Sequence, residues 1–191
     1  MIVGLAEWGT KTKTYIKRWT AEADKRGYIV LCPNWWKAKD VLPEPGDQWL
    51  LKIIRKVCER YNIDPKRILL TGFADGGDYA SYLALRYPRR FSALASVGGA
   101  LLPTYDNLIY YGRVTRHPLP FFFMHGKGDI DLKDRFGSLD EVEKAVEKLK
   151  RRNLDVAHRE IEGLGHEYRN DFNSQILDWF ESKARFRGVK V

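Results

Sequence analysis

The sequence predicts an α/β protein: a doubly wound, mainly parallel sheet of about six strands flanked by helices. Short apolar runs alternate with amphipathic stretches along the whole chain, the pattern of strand–helix repeats. Several of these runs, such as Tyr28-Ile29-Val30-Leu31-Cys32, are unbroken, as in strands covered on both faces. The stretch Thr71-Gly72-Phe73-Ala74-Asp75-Gly76-Gly77 joins a strand to a helix through a glycine-rich turn. With 191 residues, 44% hydrophobic and 30% charged, the chain is sized for one domain, 1–191, with a real core.

Residues 1–6 read as a strand that enters the polar turn Glu7-Trp8-Gly9-Thr10. Residues 13–26 form a helix with Tyr15, Ile16, Trp19 and Ala23 on its apolar side, and Gly27 suits its C-terminal cap. The strand at 28–32 is stopped by Pro33. Residues 33–47 are a loop that carries Trp35 and Trp36, and Asp47 reads as the N-cap of the next helix. That helix shows a broad stripe of Leu50, Leu51, Ile53, Ile54, Val57, Cys58 and Tyr61. Asp64-Pro65 turns the chain into the strand at 67–71 and the glycine-rich turn. The following helix runs to about Tyr87, where Pro88 blocks it.

Phe91 to Val97 reads as the next strand. Residues 100–117 are a longer connection with Tyr105, Tyr110 and Tyr111. Leu119 to Met124 is a buried strand that leads into His125-Gly126-Lys127-Gly128-Asp129. Leu139, Val142, Ala145, Val146 and Leu149 mark an amphipathic helix. Val156 to Ile161 is the last strand, followed by Gly163-Leu164-Gly165-His166 and a closing helix over 170–184.

The formal charge of +8 raises the question of nucleic acid, but the basic residues are scattered over polar helix faces and helix ends, and no nucleic-acid motif accompanies them. They read as a solvated surface. The start of the chain does not read as a signal peptide, and no apolar run approaches the ~18 residues of a membrane span. Cys32 and Cys58 read as buried thiols rather than a disulfide framework, so the expected location is cytoplasmic. Asp129, Asp131 and Asp134 lack the glycine and distal glutamate of a calcium loop, so no metal and no cofactor is expected. His125 reads as structural, and His117 and His158 as exposed.

Acyl transfer by a serine needs a nucleophile, a base, a group that orients the base, and donors for the oxyanion. Ala74, Asp129 and His166 follow the third, fifth and sixth strands, at carboxyl ends where open α/β sheets place ligands. Gly72 and Gly76 keep the spacing of a G-x-S-x-G turn around position 74. The chain resembles small α/β-hydrolases of the esterase/carboxylesterase type. Four blocks carry the resemblance: Asn62 to Ile68 leading into the turn strand, Gly72 to Gly77 as the nucleophile elbow, His125 to Asp129 as an H-G-x-x-D block, and Gly163 to His166. They span residues 62–166. The resemblance implies Ala74 at the nucleophile position, Asp129 as acid and His166 as base, with Asp131 a rival acid. It implies oxyanion donors on the backbone of Asp75 and near Trp8. Trp35, Trp36, Tyr105, Tyr110 and Tyr111 are candidates for the substrate pocket.

Two departures bear on function. Ala74 has no hydroxyl, so no acyl-enzyme can form there, and Ala6-Glu7-Trp8-Gly9 replaces the H-G-x-G loop frequent in relatives. The readings carried forward are a carboxylic ester hydrolase of Ser-Asp-His type in an inactive serine-to-alanine form, a natural pseudo-hydrolase that binds a ligand or a protein, and a serine peptidase. A small-molecule ester is the expected substrate. The expected strand order is 2-1-3-4-5-6, with the strand at 28–32 at an edge that invites pairing into a homo-oligomer.

Overall fold

The computed structural model describes residues 1–36, 46–101, 109–129 and 140–186. Six strands form a single parallel sheet: β1 (Ile2–Leu5), β2 (Val30–Leu31), β3 (Leu69–Phe73), β4 (Ala93–Val97), β5 (Phe121–Gly126) and β6 (Val156–Ile161). Their spatial order is β2-β1-β3-β4-β5-β6, as expected from the sequence. The helices are α1 (Thr12–Arg26), α2 (Gly46–Arg60), α3 (Asp75–Arg86), α4 (Tyr111–Arg116), α5 (Asp140–Lys150) and α6 (Asp171–Phe186).

The two faces of the sheet are covered by different helices. Ile2, Leu69, Ala93, Ala95 and Phe122 point to the side where Tyr15, Trp19 and Ala23 of α1 meet Phe172, Ile176, Leu177 and Phe180 of α6. Val3, Leu5, Leu70, Leu94, Phe121 and Phe123 point to the other side, where α2, α3 and α5 supply Leu50, Ile54, Leu83, Val146 and Leu149. This double cover is why β1, β3, β4 and β5 are buried along their whole length and read as continuous apolar runs. Gly27 closes α1 at φ 70, and its N–H donates back to the last turn.

Three expectations are corrected. The strand over 28–32 shrinks to Val30–Leu31, because it is the sheet edge and pairs only through Ile2 and Val3. The connection over 100–117 contains a helix, α4, whose single buried apolar residue, Val114, gives no periodic signal. Asp47 lies inside the first turn of α2, fully buried. Its carboxylate accepts hydrogen bonds from the hydroxyls of Tyr79 (2.6 Å), Tyr82 (2.7 Å) and Tyr87 (3.1 Å), so it joins α2 to α3.

Candidate active site

The site begins with the turn between β3 and α3. Ala74 sits at φ 51, ψ −123, a backbone conformation that residues with a side chain rarely adopt. Its N–H donates to the Val97 carbonyl (3.0 Å), and its own carbonyl accepts from Gly77 (2.8 Å) and Asp78 (3.0 Å). Two glycines make the turn sterically feasible. A Cβ at Gly72 would lie 2.2 Å from the Gly76 carbonyl oxygen, and one at Gly76 would lie 2.1 Å from the Leu5 carbonyl oxygen. The start of α3 is thereby drawn onto the carboxyl ends of β1 and β3, which is the local meaning of the G-x-A-x-G spacing.

The carboxylate–imidazole pair comes from the loops after β5 and β6. Asp129 is 1% exposed, and both of its oxygens lie 2.9 Å from Nδ1 of His166. With a buried carboxylate there, the assigned tautomer carries the proton on Nδ1 and leaves Nε2 as the acceptor. The two loops are tied together by backbone bonds: Lys127 N–H donates to the Ile161 carbonyl and Gly128 N–H to the Leu164 carbonyl, each 3.0 Å. The His166 ring stacks on Phe73 at 4.9 Å and lies over Gly98, where a Cβ would come within 3.4 Å of its Cε1. Phe73 precedes Ala74, and Gly98 follows its hydrogen-bond partner Val97. The ring therefore lies against the turn at Ala74.

Behind the ring is a layer that the sequence did not point to. Tyr168 packs edge-on against Phe73 at 5.5 Å, and the Arg18 guanidinium lies 5.8 Å from the Phe73 ring and 5.1 Å from that of Tyr168. Burial pushes the Tyr168 phenol well above its ordinary value, so it stays a neutral donor, here to Asn173. Arg18 also binds Glu7 through two hydrogen bonds of 2.7 and 3.1 Å. That bond turns the Glu7 charge toward α1. The signals in the sequence were weak: Phe73 is the unspecified residue of the turn, and Tyr168 follows His166 by two.

The Trp8 N–H donates to Oδ2 of Asp75 at 3.4 Å, so these two candidate oxyanion residues are neighbours. Trp8 is half-exposed, and its ring meets that of Trp36 at 5.8 Å. Trp35 is buried, donates from Nε1 to the Ala6 carbonyl (2.9 Å) and stacks on Tyr79 at 5.0 Å. These tryptophans form an aromatic wall along the Ala6–Trp8 loop. Tyr110 is exposed, whereas Tyr111 packs under the cationic ends of Lys148 and Arg152, at the end of α5 that leads into β6. Tyr105, Asp131 and Asp134 lie outside the described residues. His117 is exposed as expected, but His158 is half-buried, stacked on His125.

The fold agrees with what the chain is similar to. A putative carboxymethylenebutenolidase of Aquifex aeolicus is 26% identical over 189 residues, covering 90% of this chain and 77% of that protein. A bifunctional acetylxylan esterase/xylanase of Neocallimastix patriciarum is 29% identical over 114 residues, or 58% of this chain, and the match spans only 16% of that protein's length. Among solved structures, esterase PE8 superposes with a TM-score of 0.75 at 18% identity, covering 95% of this chain and 91% of that one. An S-formylglutathione hydrolase of Agrobacterium tumefaciens superposes at 0.68 and 16% identity, covering 96% and 83%. At such identities these structures bear on the fold alone, which is that of the α/β-hydrolases. The sequence model of the phospholipase/carboxylesterase family matches residues 44–182, through the Ala74 turn, Asp129 and His166, and the chain belongs to that family.

Proposed function

We propose that this chain is the scaffold of a serine-type carboxylic ester hydrolase, with base and acid assembled and with alanine at the nucleophile position. Its ligand is a small-molecule ester, held near Ala74 beside the aromatic wall of Trp8, Trp35 and Trp36. The observation that carries the reading is the buried Asp129 bonded at 2.9 Å to His166, whose ring lies against a strained, glycine-packed turn. Asp129 would hold the imidazole in the tautomer whose Nε2 accepts a proton, and the backbone N–H of Asp75 would face the oxyanion, joined by that of Trp8 once it leaves the Asp75 carboxylate. As it stands the chain binds the ester and cannot form an acyl-enzyme. A single domain and a cytoplasmic location belong to the same reading. The free state of Cys32 and Cys58 suits that location. Among the described residues no helix is long and apolar enough to cross a membrane.

One observation favours the second reading, a binding protein without chemistry. The Asp75 carboxylate accepts the Trp8 N–H, and a negative group at that place opposes a developing oxyanion.

The two readings part on Ala74→Ser. Loss of a triad serine costs roughly 10⁶-fold in turnover. If the rest of the machinery is competent, the substitution raises hydrolysis of p-nitrophenyl acetate or butyrate by about 10³-fold or more, and His166→Ala on top of it returns the rate to background. A folded Ala74→Ser protein with no gain on several acyl lengths would favour the binding protein.

A further inference from the structure

His125, His158 and Glu160 lie on the two strands that lead to the acid–base pair, but outside it. Strand register sets Phe123 opposite His158 and His125 opposite Glu160. All three polar side chains therefore leave the same face of the sheet, since residues two apart on a strand share a face. His125 is 3% exposed, and its ring stacks on that of His158 at 5.1 Å with 21° between the planes. Nδ1 of His125 lies 3.4 Å from Nε2 of His158, and its Nε2 lies 3.7 Å from Oε1 of Glu160. One potential ligand atom from each residue falls within 4.8 Å of the others.

These spacings have a chemical meaning. Zinc bonds of ~2.0–2.1 Å to imidazole, in a tetrahedron, set neighbouring ligand atoms about 3.3 Å apart. The two imidazoles already stand near that separation. Glu160 is at the rim, and its flexible side chain needs only to swing its carboxylate from Nε2 of His125 to the ion that Nδ1 would share. We propose that His125, His158 and Glu160 form a binding site for a divalent transition metal of the zinc type, with water as a further ligand.

Imidazole binds a metal only when neutral, so zinc should bind more weakly as pH falls. Two nitrogens and one carboxylate suit zinc, nickel or copper better than calcium or magnesium, which take oxygen ligands. The ion would pin the edge strand β6 to β5. Asp129 follows the end of β5 by three residues, and His166 follows the end of β6 by five. The metal would thus stiffen the base of both loops.

The test uses the full chain, free of any affinity tag, with ZnCl2 followed by calorimetry and CoCl2 followed by its visible spectrum. The expected result is one equivalent of zinc bound, four-coordinate cobalt bands and a zinc-dependent rise in Tm. His158→Gln and Glu160→Gln should each weaken zinc at least about tenfold and remove the Tm rise, since even groups behind the ligands cost that much. Because Glu160 is at the surface, Glu160→Gln remains informative should His158→Gln fold poorly. His166→Ala and a Cys32→Ser/Cys58→Ser protein should bind zinc as the parent does. No binding by the parent, unchanged binding in both glutamine variants, or binding lost in His166→Ala or in the cysteine variant would overturn the site.

Discussion

Ala74 shows that a strained backbone conformation can be held by its neighbours alone, without a hydroxyl. Its φ of 51 and ψ of −123 are imposed by neighbours that have no room to relax, above all Gly76, whose missing Cβ leaves space for the Leu5 carbonyl. Gly76→Ala should therefore cost stability in a way the mildness of the change hides. A methyl 2.1 Å from a backbone oxygen must push α3 off β1. Overpacking of this kind costs about 1–3 kcal/mol or more, a fall in Tm of several degrees for a chain of this size, measurable by thermal melting. Hydrogen exchange should report the loss first at the start of α3. The glycine spacing, Asp129 and His166 could be read from the sequence because each sits in a local pattern. Phe73, Tyr168 and Arg18 could not, since their meaning comes only from meeting one another across three elements.

At the scale of elements, α2 and α3 are joined by a buried charge rather than by apolar packing alone. The Asp47 carboxylate takes hydroxyls from Tyr79, Tyr82 and Tyr87, and Tyr79 in turn stacks on Trp35 beneath the Ala6–Trp8 loop. Asp47→Ala would leave these hydroxyls without that acceptor. Each buried polar group left unsatisfied costs about 1–3 kcal/mol, so a loss of roughly 3 kcal/mol or more is expected in urea unfolding, against less for Asp47→Asn, which keeps an acceptor oxygen. A pattern of apolar spacing cannot announce such a network. It marked Asp47 as a helix start and was right about the helix while missing the partners. The central strands and the long helices were legible because burial on both faces, or on one stripe, writes itself into composition. The existence and edge place of β2 were legible but its two-residue extent was not, and α4 was missed because one buried valine leaves almost no pattern.

The whole chain is set against high pH. Burial pushes the Cys32 thiol up to about 12, and it raises the phenols of Tyr15, Tyr82 and Tyr168 as well. Each of these acids ionises more readily in the unfolded chain. Their contribution to stability is complete below the unfolded pKa, near ~8.5 for a thiol and ~10 for a phenol, and is lost as pH rises above it. Urea midpoints should thus hold between pH 7 and 8 and fall progressively above pH ~9, with Cys32→Ala blunting the first part of the fall. A flat profile to pH ~10.5 would contradict the buried placement of these groups. Charge was legible as a number, +8, but not as a distribution, because pairs such as Arg18–Glu7 and Arg26–Glu181 form between residues far apart in sequence or across elements.

The strained turn also bears on how easily chemistry could come and go in this lineage. The conformation at position 74 is held by Gly72, Gly76 and the bond to Val97, none of which depends on a hydroxyl. Alanine and serine codons of the GCN and UCN boxes differ by a single base. A gene encoding this protein is then one point mutation from a hydroxyl at position 74, already set beside the imidazole. A chain that had instead lost either glycine would need several coordinated changes. A hydroxyl at position 74 can therefore be gained or lost without crossing a fold-destabilising intermediate.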